Sequence, residues 1–576
     1  MNAFMCALRR LMPALVFVGG CGPSSSISTV PEVGERAATP AVDAPALVLP
    51  AGTDEAVRRI TAEGLRADVE AFSSDVFEGR GPGSRGDAAA RAWLIERLQG
   101  LGFEPGGHEG SWEQPFPIVG VTAQMPERWR FEPAGKTGAA KPVTLSWWDD
   151  FIAASGVQTP TVDLRDAELV FVGYGITAPE EDWDDFQGAD LRGKILLVLN
   201  DDPDWDPELF GGARRLYYGR WTYKYEEAGR QGAAGAIIVH TTKSAGYPWG
   251  VVQTSWSGEQ FELPAGDEPR AAVHAWVTED AARQLVALGG HDLDALITSA
   301  RSRAFEPVPL GVRTSLRFEA TMNETQTANV LGLLPGSDEQ RAGEVVIVSA
   351  HHDHLGIGKP DASGDRIYNG ARDNATGVAQ ALGVAEAFAA LPEPPPRSVL
   401  VAFVGAEEQG LLGSKHYAAN PTFSPESIAA NINFELGNIW GRTHDVVIHG
   451  KGKTDLDPLV VAAATHQGRR VEDEADPRAG WYYRSDQFSF ARIGVPAIWF
   501  ESGRDYVSRP EGWGDEIVER WIAEHYHKPS DELRDDWRFD GMVEDTQLGF
   551  WVAAAVARAE QMPQWTPGDE FAVIRE

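Results

Sequence analysis

The sequence predicts an α/β protein: a mostly parallel mixed sheet covered by helices on both faces, with a β-rich segment inserted ahead of its main part. Two observations carry this reading. After about Ala328, apolar runs at Val345 to Ser349, Val399 to Val404, Ile428 to Phe434 and Ala497 to Phe500 alternate with helical stretches at Thr376 to Ala390, Leu456 to His466 and Val543 to Glu560. Strands buried on both faces read as continuous apolar runs, and their alternation with amphipathic helices is the pattern of parallel crossovers. Between about Leu164 and Ala300 the texture changes to β-branched runs, 169–172, 195–199 and 236–239, separated by Gly, Pro and acidic loops. An opening helix is expected at Ala88 to Leu101, where Trp93, Leu94, Leu98 and Leu101 keep helical spacing and Gly102 follows as a stop.

A chain of 576 residues with 43% hydrophobic content can bury a large core divided among several domains. Its 51 Lys+Arg against 85 Asp+Glu give a net charge of −34, which argues against a nucleic-acid partner. The acidic run 201–206 lacks the ordered spacing of a calcium loop and reads as a solvated loop.

Targeting accounts for the first twenty residues. Arg9 and Arg10 precede the apolar stretch Leu11 to Val18, which is too short to span a bilayer and suits a signal peptide. The stretch ends Val18-Gly19-Gly20-Cys21, similar to a lipoprotein signal in which the cysteine is acylated. An ordinary cleaved signal with an incidental cysteine is the alternative. Cys6 leaves with the signal, so no intrachain disulfide remains for Cys21 to form. The expectation is an exported chain held at the cell envelope by a lipid on Cys21, with a Pro- and Ser-rich tether behind it.

Candidate chemistry gathers where the apolar strands end, the place where ligands collect in such sheets. Ala350-His351-His352-Asp353-His354 follows the first strand; in extended backbone His351 and Asp353 point the same way, so Asp353 can orient a metal-bound His351. The loop Asn369 to Gly377 holds Asp373 and, read alone, is a helix cap. Glu407 and Glu408 end another strand, where adjacent carboxylates are costly to bury without a metal or protons. Glu435 ends a third strand, and Tyr526-His527 lies near the C-terminal helix.

Taken in this order, the motifs resemble the dizinc exopeptidases that include leucyl-type aminopeptidases and the glutamate carboxypeptidase II group. The matching positions are His351 and Asp353, Asp373, Glu407 and Glu408, Glu435, Ser485 and Asp486, and Tyr526 and His527, with 77–83 resembling the family's opening. Gly173-Tyr174-Gly175, 191–194 and 228–235 resemble a protease-associated domain. The resemblance implies a signal at 1–20, a tether at 21–55, the start of the peptidase at 56–160, a protease-associated insertion at 161–300 and the catalytic part at 301–576. It also implies two zinc ions: Asp373 bridging, His351 and Glu435 on the first, Glu408 and His527 on the second. A water shared by the metals would attack, with Glu407 as general base, Asp353 orienting His351, and Tyr526 hydrogen-bonding the oxyanion.

The chain departs from the pattern at Glu435, where Asp is commoner, at Arg372, where Asn or Asp is usual, and in an insert, Arg504 to Glu524, that could shape the pocket. Removal of N-terminal residues from peptides, as an aminopeptidase or dipeptidase, is the expected activity, because clustered carboxylates favour an α-ammonium. A carboxypeptidase anchored by Arg484, other amide chemistry such as deacylation or N-terminal cyclisation, and a non-catalytic binding protein are the alternatives.

Overall fold

The computed structural model describes residues 47–135, 141–207 and 209–575. The signal sequence, Cys6, Cys21 and the tether up to residue 46 lie outside the described residues. Order is already present within the last part of the expected tether, since the short helix Thr53–Ala56 buries Thr53 and Ala56.

Two sheets share one strand. Strands β1 (Glu113–Gln124), β2 (Phe151–Ser155), β3 (Thr161–Phe171), β4 (Ile195–Leu199), β5 (Gly235–His240) and β6 (Val273–Thr278) lead into the 27-residue β7 (Val308–Leu334). The first half of β7 pairs antiparallel with β3, and beyond β3 come β4, β5 and β6 in parallel, with β2 antiparallel at the far side. Its second half pairs antiparallel with β1 and with β9 (Ser398–Val404).

From β9 the second sheet continues through β8 (Val345–His351), β10 (Ile428–Asn433) and β13 (Ala497–Ser502), all parallel. It closes with β11 (Asp445–His449), antiparallel to β13, and the short β12 (Arg470–Glu472). Every residue of β8, β9 and β10 is buried, the condition that made these strands legible as apolar runs.

Successive side chains point to opposite faces. Val346, Val348, Val399, Val401 and Phe403 join one core with α2 (Thr376–Ala389), α3 (Leu456–His466) and α5 (Asp540–Arg558). Val345, Ile347, Leu400 and Ala402 join another with Tyr417, Phe488 and Phe490. Helices thus cover both faces, as the sequence predicts. Helix α2 is buried along nearly its whole length and is rich in Ala and Gly, which allows close packing: a Cβ on Gly383 would lie 3.1 Å from Thr546 Cγ2. The opening helix α1 spans Arg85–Gly100 and is capped by Ser84, whose side chain accepts from Asp87 N.

Among the elements that escaped the sequence reading, besides β1, β2, β6 and the long β7, are the strands β11 and β12 and the helix α4 (Trp513–Glu524), the last of which occupies most of the expected insert. The two strands are short and of mixed polarity, and α4 buries only Gly514, Val518 and Trp521. The acidic run differs as well. Asp202 is 2% exposed and accepts from Leu216 N, while Asp201 pairs with Arg215, so part of the run serves packing rather than solvation.

Candidate metal centre

The site is assembled at the carboxyl ends of the parallel strands. His351 is the last residue of β8, Glu407 and Glu408 follow β9, and Glu435 follows β10. A loop, 369–375, carries Asp373 between them. Gly370 must be glycine there: its φ is 55°, and a Cβ would lie 2.3 Å from Asp373 O and 2.6 Å from His354 Cγ. Asn374 is the residue that caps, its Oδ1 accepting from Gly377 N and from Leu436 N, while its Nδ2 donates to Phe434 O. Asp373 is left to project into the site.

Three side chains hold these loops in place. Arg80, 1% exposed, donates to the carbonyls of His352, Asn369 and Gly370, joining the histidine run to the Asp373 loop. Asp531 accepts from Arg372 N and Asp373 N. Arg372 lies between Trp440 and Trp521, 4.5 and 4.4 Å from their centroids, and donates to Leu436 O and Gly437 O just past Glu435. A role for Arg80, Asp531 or Trp521 was not read from the sequence, and Arg372 was read only as a departure.

Asp373 sits between two imidazoles: its Oδ1 is 3.4 Å from His351 Nε2 and its Oδ2 is 3.2 Å from His527 Nε2. His527 Nε2 is also 3.1 Å from Glu408 Oε2. Glu407 Oε2 stands 4.0 Å from His351 Nε2. Asp353 lies beside His351 and has a further task. Its carboxylate is 3.8 Å from His351 Nδ1, which lies nearer, at 3.3 Å, to the Asp353 carbonyl oxygen. The carboxylate also accepts from Glu407 N and Glu408 N, fixing the peptide that presents both glutamates. Tyr526 stacks on His527 with centroids 3.8 Å apart and keeps 37% exposure, at the mouth of the site.

His354 was noted in the histidine run but given no role. The structure sets its Nδ1 2.6 Å from Glu408 Oε1, and it can share a metal with Asp373 and Glu408, since ligand atoms of the three lie within 4.8 Å of one another.

The donor set suits divalent cations. His351 Nε2, His354 Nε2, His527 Nε2, Glu435 Oε2 and both Asp486 carboxylate oxygens are buried without a hydrogen-bond partner, which a structural polar network would not tolerate. Burial, with repulsion from Glu435 and Glu408, pushes Glu407 well above the usual carboxylate range. Burial and Asp373 push Glu435 up to about 8, and burial pushes Asp486 to about 6. Asp373 is raised by burial too, but His351 and His527 hold it well below the ordinary value. Simultaneous ionisation of these carboxylates therefore requires positive charge among them, and imidazole with carboxylate oxygen is a donor set for such ions.

Residues 329–550 match the family described as Peptidase family M28. The chain is 22% identical over 363 residues to aminopeptidase YwaD of Bacillus subtilis (strain 168), covering 60% of this chain and 58% of that protein. It is 25% identical over 239 residues to leupeptin-inactivating enzyme 1 of Streptomyces exfoliatus, covering 39% and 48%. The chain therefore spans less than two thirds of the length of these curated relatives. Among solved structures, an aminopeptidase from Aneurinibacillus sp. strain AM-1 aligns with a TM-score of 0.48 at 21% identity, over 88% of this chain and 97% of that one. A peptidase M28 precursor from Shewanella amazonensis SB2B aligns with a TM-score of 0.39 at 19% identity, over 89% and 99%.

Proposed function

We propose that the chain, whose residues 329–550 match the model of peptidase family M28, is a zinc-dependent aminopeptidase or dipeptidase, removing N-terminal residues from peptides. The observation that carries this reading is Asp373, whose two carboxylate oxygens face two different imidazoles, the arrangement of a bridging ligand. His351 and Glu435 would hold one zinc with Asp373, and Glu408 and His527 the other. Zinc so held supplies Lewis acidity at the scissile carbonyl.

The chain's own groups do the rest. Glu407, presented by the Asp353-anchored peptide, takes the proton of the attacking water and passes it to the leaving amine. The Tyr526 hydroxyl stays protonated, because burial and the nearby Asp373, Glu408 and Glu407 raise it well above its ordinary range, so it can donate to the developing oxyanion. Asp353 acts through Glu407 and Glu408 and is a positioning residue. The carboxylates of Glu435 and Asp486 provide a field suited to an α-ammonium. His354, hydrogen-bonded to Glu408, steadies that ligand.

One short peptide in three forms tests the direction of attack. N-acetylation should abolish cleavage, and the C-amidated form should still be cut. Cleavage that survives acetylation and is lost on amidation would reverse the polarity to a carboxypeptidase, and internal cleavage of a doubly blocked peptide would reject both.

We also read the amino terminus as an exported lipoprotein signal, supported by Arg9, Arg10, the apolar stretch to Val18 and the lone Cys21 left after cleavage. Wild-type protein should partition with membranes and Cys21→Ser should be soluble or uncleaved. Native protein that is wholly soluble, with its N-terminus at another residue, would dismiss the anchor. The β-rich region 161–300 we read as a protease-associated insertion, supported by its parallel β3–β4–β5–β6 core.

A further inference from the structure

In a chain of net charge −34, three arginines gather where the β-rich region meets the segment leading to Ser485 and Asp486. Arg220, 9% exposed, immediately precedes the helix Trp221–Arg230. Among the described residues its guanidinium has no hydrogen bond or ion pair, and its Nε is buried without a partner. Arg215, 4% exposed, donates from Nη2 to Ser244 O at 2.6 Å and reaches Asp201 Oδ1 at 3.3 Å, but its Nε is likewise buried and unpartnered. Among the described residues Arg484 donates only to the Ala479 carbonyl, at 3.0 and 2.7 Å, lies 4.7 Å over the Trp481 ring and has no carboxylate paired with it.

The three belong to one place. A Cβ on Gly246 would lie 3.9 Å from Arg484 Nη2, and one on Gly480 would lie 3.5 Å from Arg215 Cδ. Arg215 N donates to Pro477 O, so the two segments are joined by backbone as well. Burial first, then Arg484 and Arg215, push the Arg220 guanidinium down to about 9, and Tyr247 next to it feels all three cations. The metal centre adjoins the cluster through Arg484, which runs directly into Ser485, whose Oγ accepts from Asn433 Nδ2 at the end of β10, and into the buried Asp486.

A buried cation without a partner, as Arg220 is, is costly, and the like charges of Arg215 and Arg484 near it add to that cost, unless an anion joins them. Asp201 touches one of the three. Guanidinium is the side chain best shaped to bind carboxylate, through two parallel hydrogen bonds.

We propose that Arg215, Arg220 and Arg484, around Tyr247, form a carboxylate-binding subsite beside the metal centre that takes the free carboxylate of a short peptide substrate. This rests on the peptidase reading above. It gives the metal centre and the β-rich region complementary tasks: carboxylates receive the amine end and arginines the acid end. Substrates are then short peptides with a free C-terminus, or peptides with an acidic side chain just beyond the scissile bond.

The test uses the full chain and three tripeptides sharing one N-terminal residue: a free acid with a neutral middle residue, its C-terminal amide, and an amide with Glu in the middle. The expected result is a kcat/KM about tenfold higher for the free acid than for its amide, residing in KM. Arg220→Gln and Arg484→Gln should each shrink that gap to less than about threefold, and the amide arm shows whether the variants are folded. A gain for the Glu amide alone assigns the subsite to the acidic side chain; a gain for the free acid alone assigns it to the terminus. Calorimetry of the wild-type chain with the N-acetylated tripeptide as acid and as amide reads binding without turnover. Equal kcat/KM for all three peptides together with equal binding of the two acetylated forms, or a gap that persists in both variants, would overturn the subsite. If no peptide is hydrolysed the peptidase reading falls, and the calorimetry still decides the subsite by itself.

Discussion

Replacing Glu407 with alanine should lower kcat by about 10²–10⁴-fold, the usual worth of a general base, while metal content stays at the wild-type level. Glu407 is within 4.0 Å of His351 Nε2 but makes no closer approach to the imidazoles, whereas Glu408, one residue on, is in contact with both His527 and His354. Adjacent residues at the end of β9 are thus turned to different tasks, and the Asp353 carboxylate holds the peptide that separates them. The base is identified by the pairing of two measurements, turnover and metal content. A Glu407→Ala protein with full turnover would remove this mechanism, and one that has lost its metal would make Glu407 a ligand.

Asp373→Ala should cost both metal and activity. Its two oxygens serve two imidazoles at 3.4 and 3.2 Å, so removing the carboxylate strips a ligand from each half of the centre and leaves His351 and His527 without their common partner. Bound zinc should fall from about two ions per chain to one or fewer, and hydrolysis below detection. Metal analysis after dialysis checks the first and peptide hydrolysis the second. Retention of both ions in the alanine variant would show that Asp373 does not bridge. Asp373→Asn keeps the shape of the side chain and should fail in the same way if charge is what the site needs.

The strands and the ligands they carry could be read from the sequence because each signal is local. An apolar run of five to seven residues, buried on both faces, announces itself, and a polar residue at its end stands out against it. His351, Glu407, Glu408 and Glu435 were legible for that reason, and Asp373 and His527 through motif order. Strands β11 and β12 and helix α4 carry short or weakly patterned signals, and their form was decided by what they pack against. Asp353 shows what spacing leaves out: alternation along an extended chain places it on the side of His351, where its carboxylate lies 3.8 Å from Nδ1, but its bond to the Glu407–Glu408 peptide is a long-range contact that spacing cannot show.

By itself the sequence determined the α/β class, the sheet that carries the site and the candidate metal donors other than His354, since these depend on composition and order along the chain. Only the tertiary structure decided what holds the donors and what lies beside them. Arg80 reaches carbonyls 272 to 290 residues away, Asp531 grips the Asp373 loop from 158 residues away, and Arg372 is set between Trp440 and Trp521. Arg215 and Arg220 meet Arg484 across a similar separation. An isolated arginine or aspartate has no periodicity and no neighbour in sequence that reveals its partner; its meaning is set by a long-range contact that exists only once the cores on both faces of the sheet have packed.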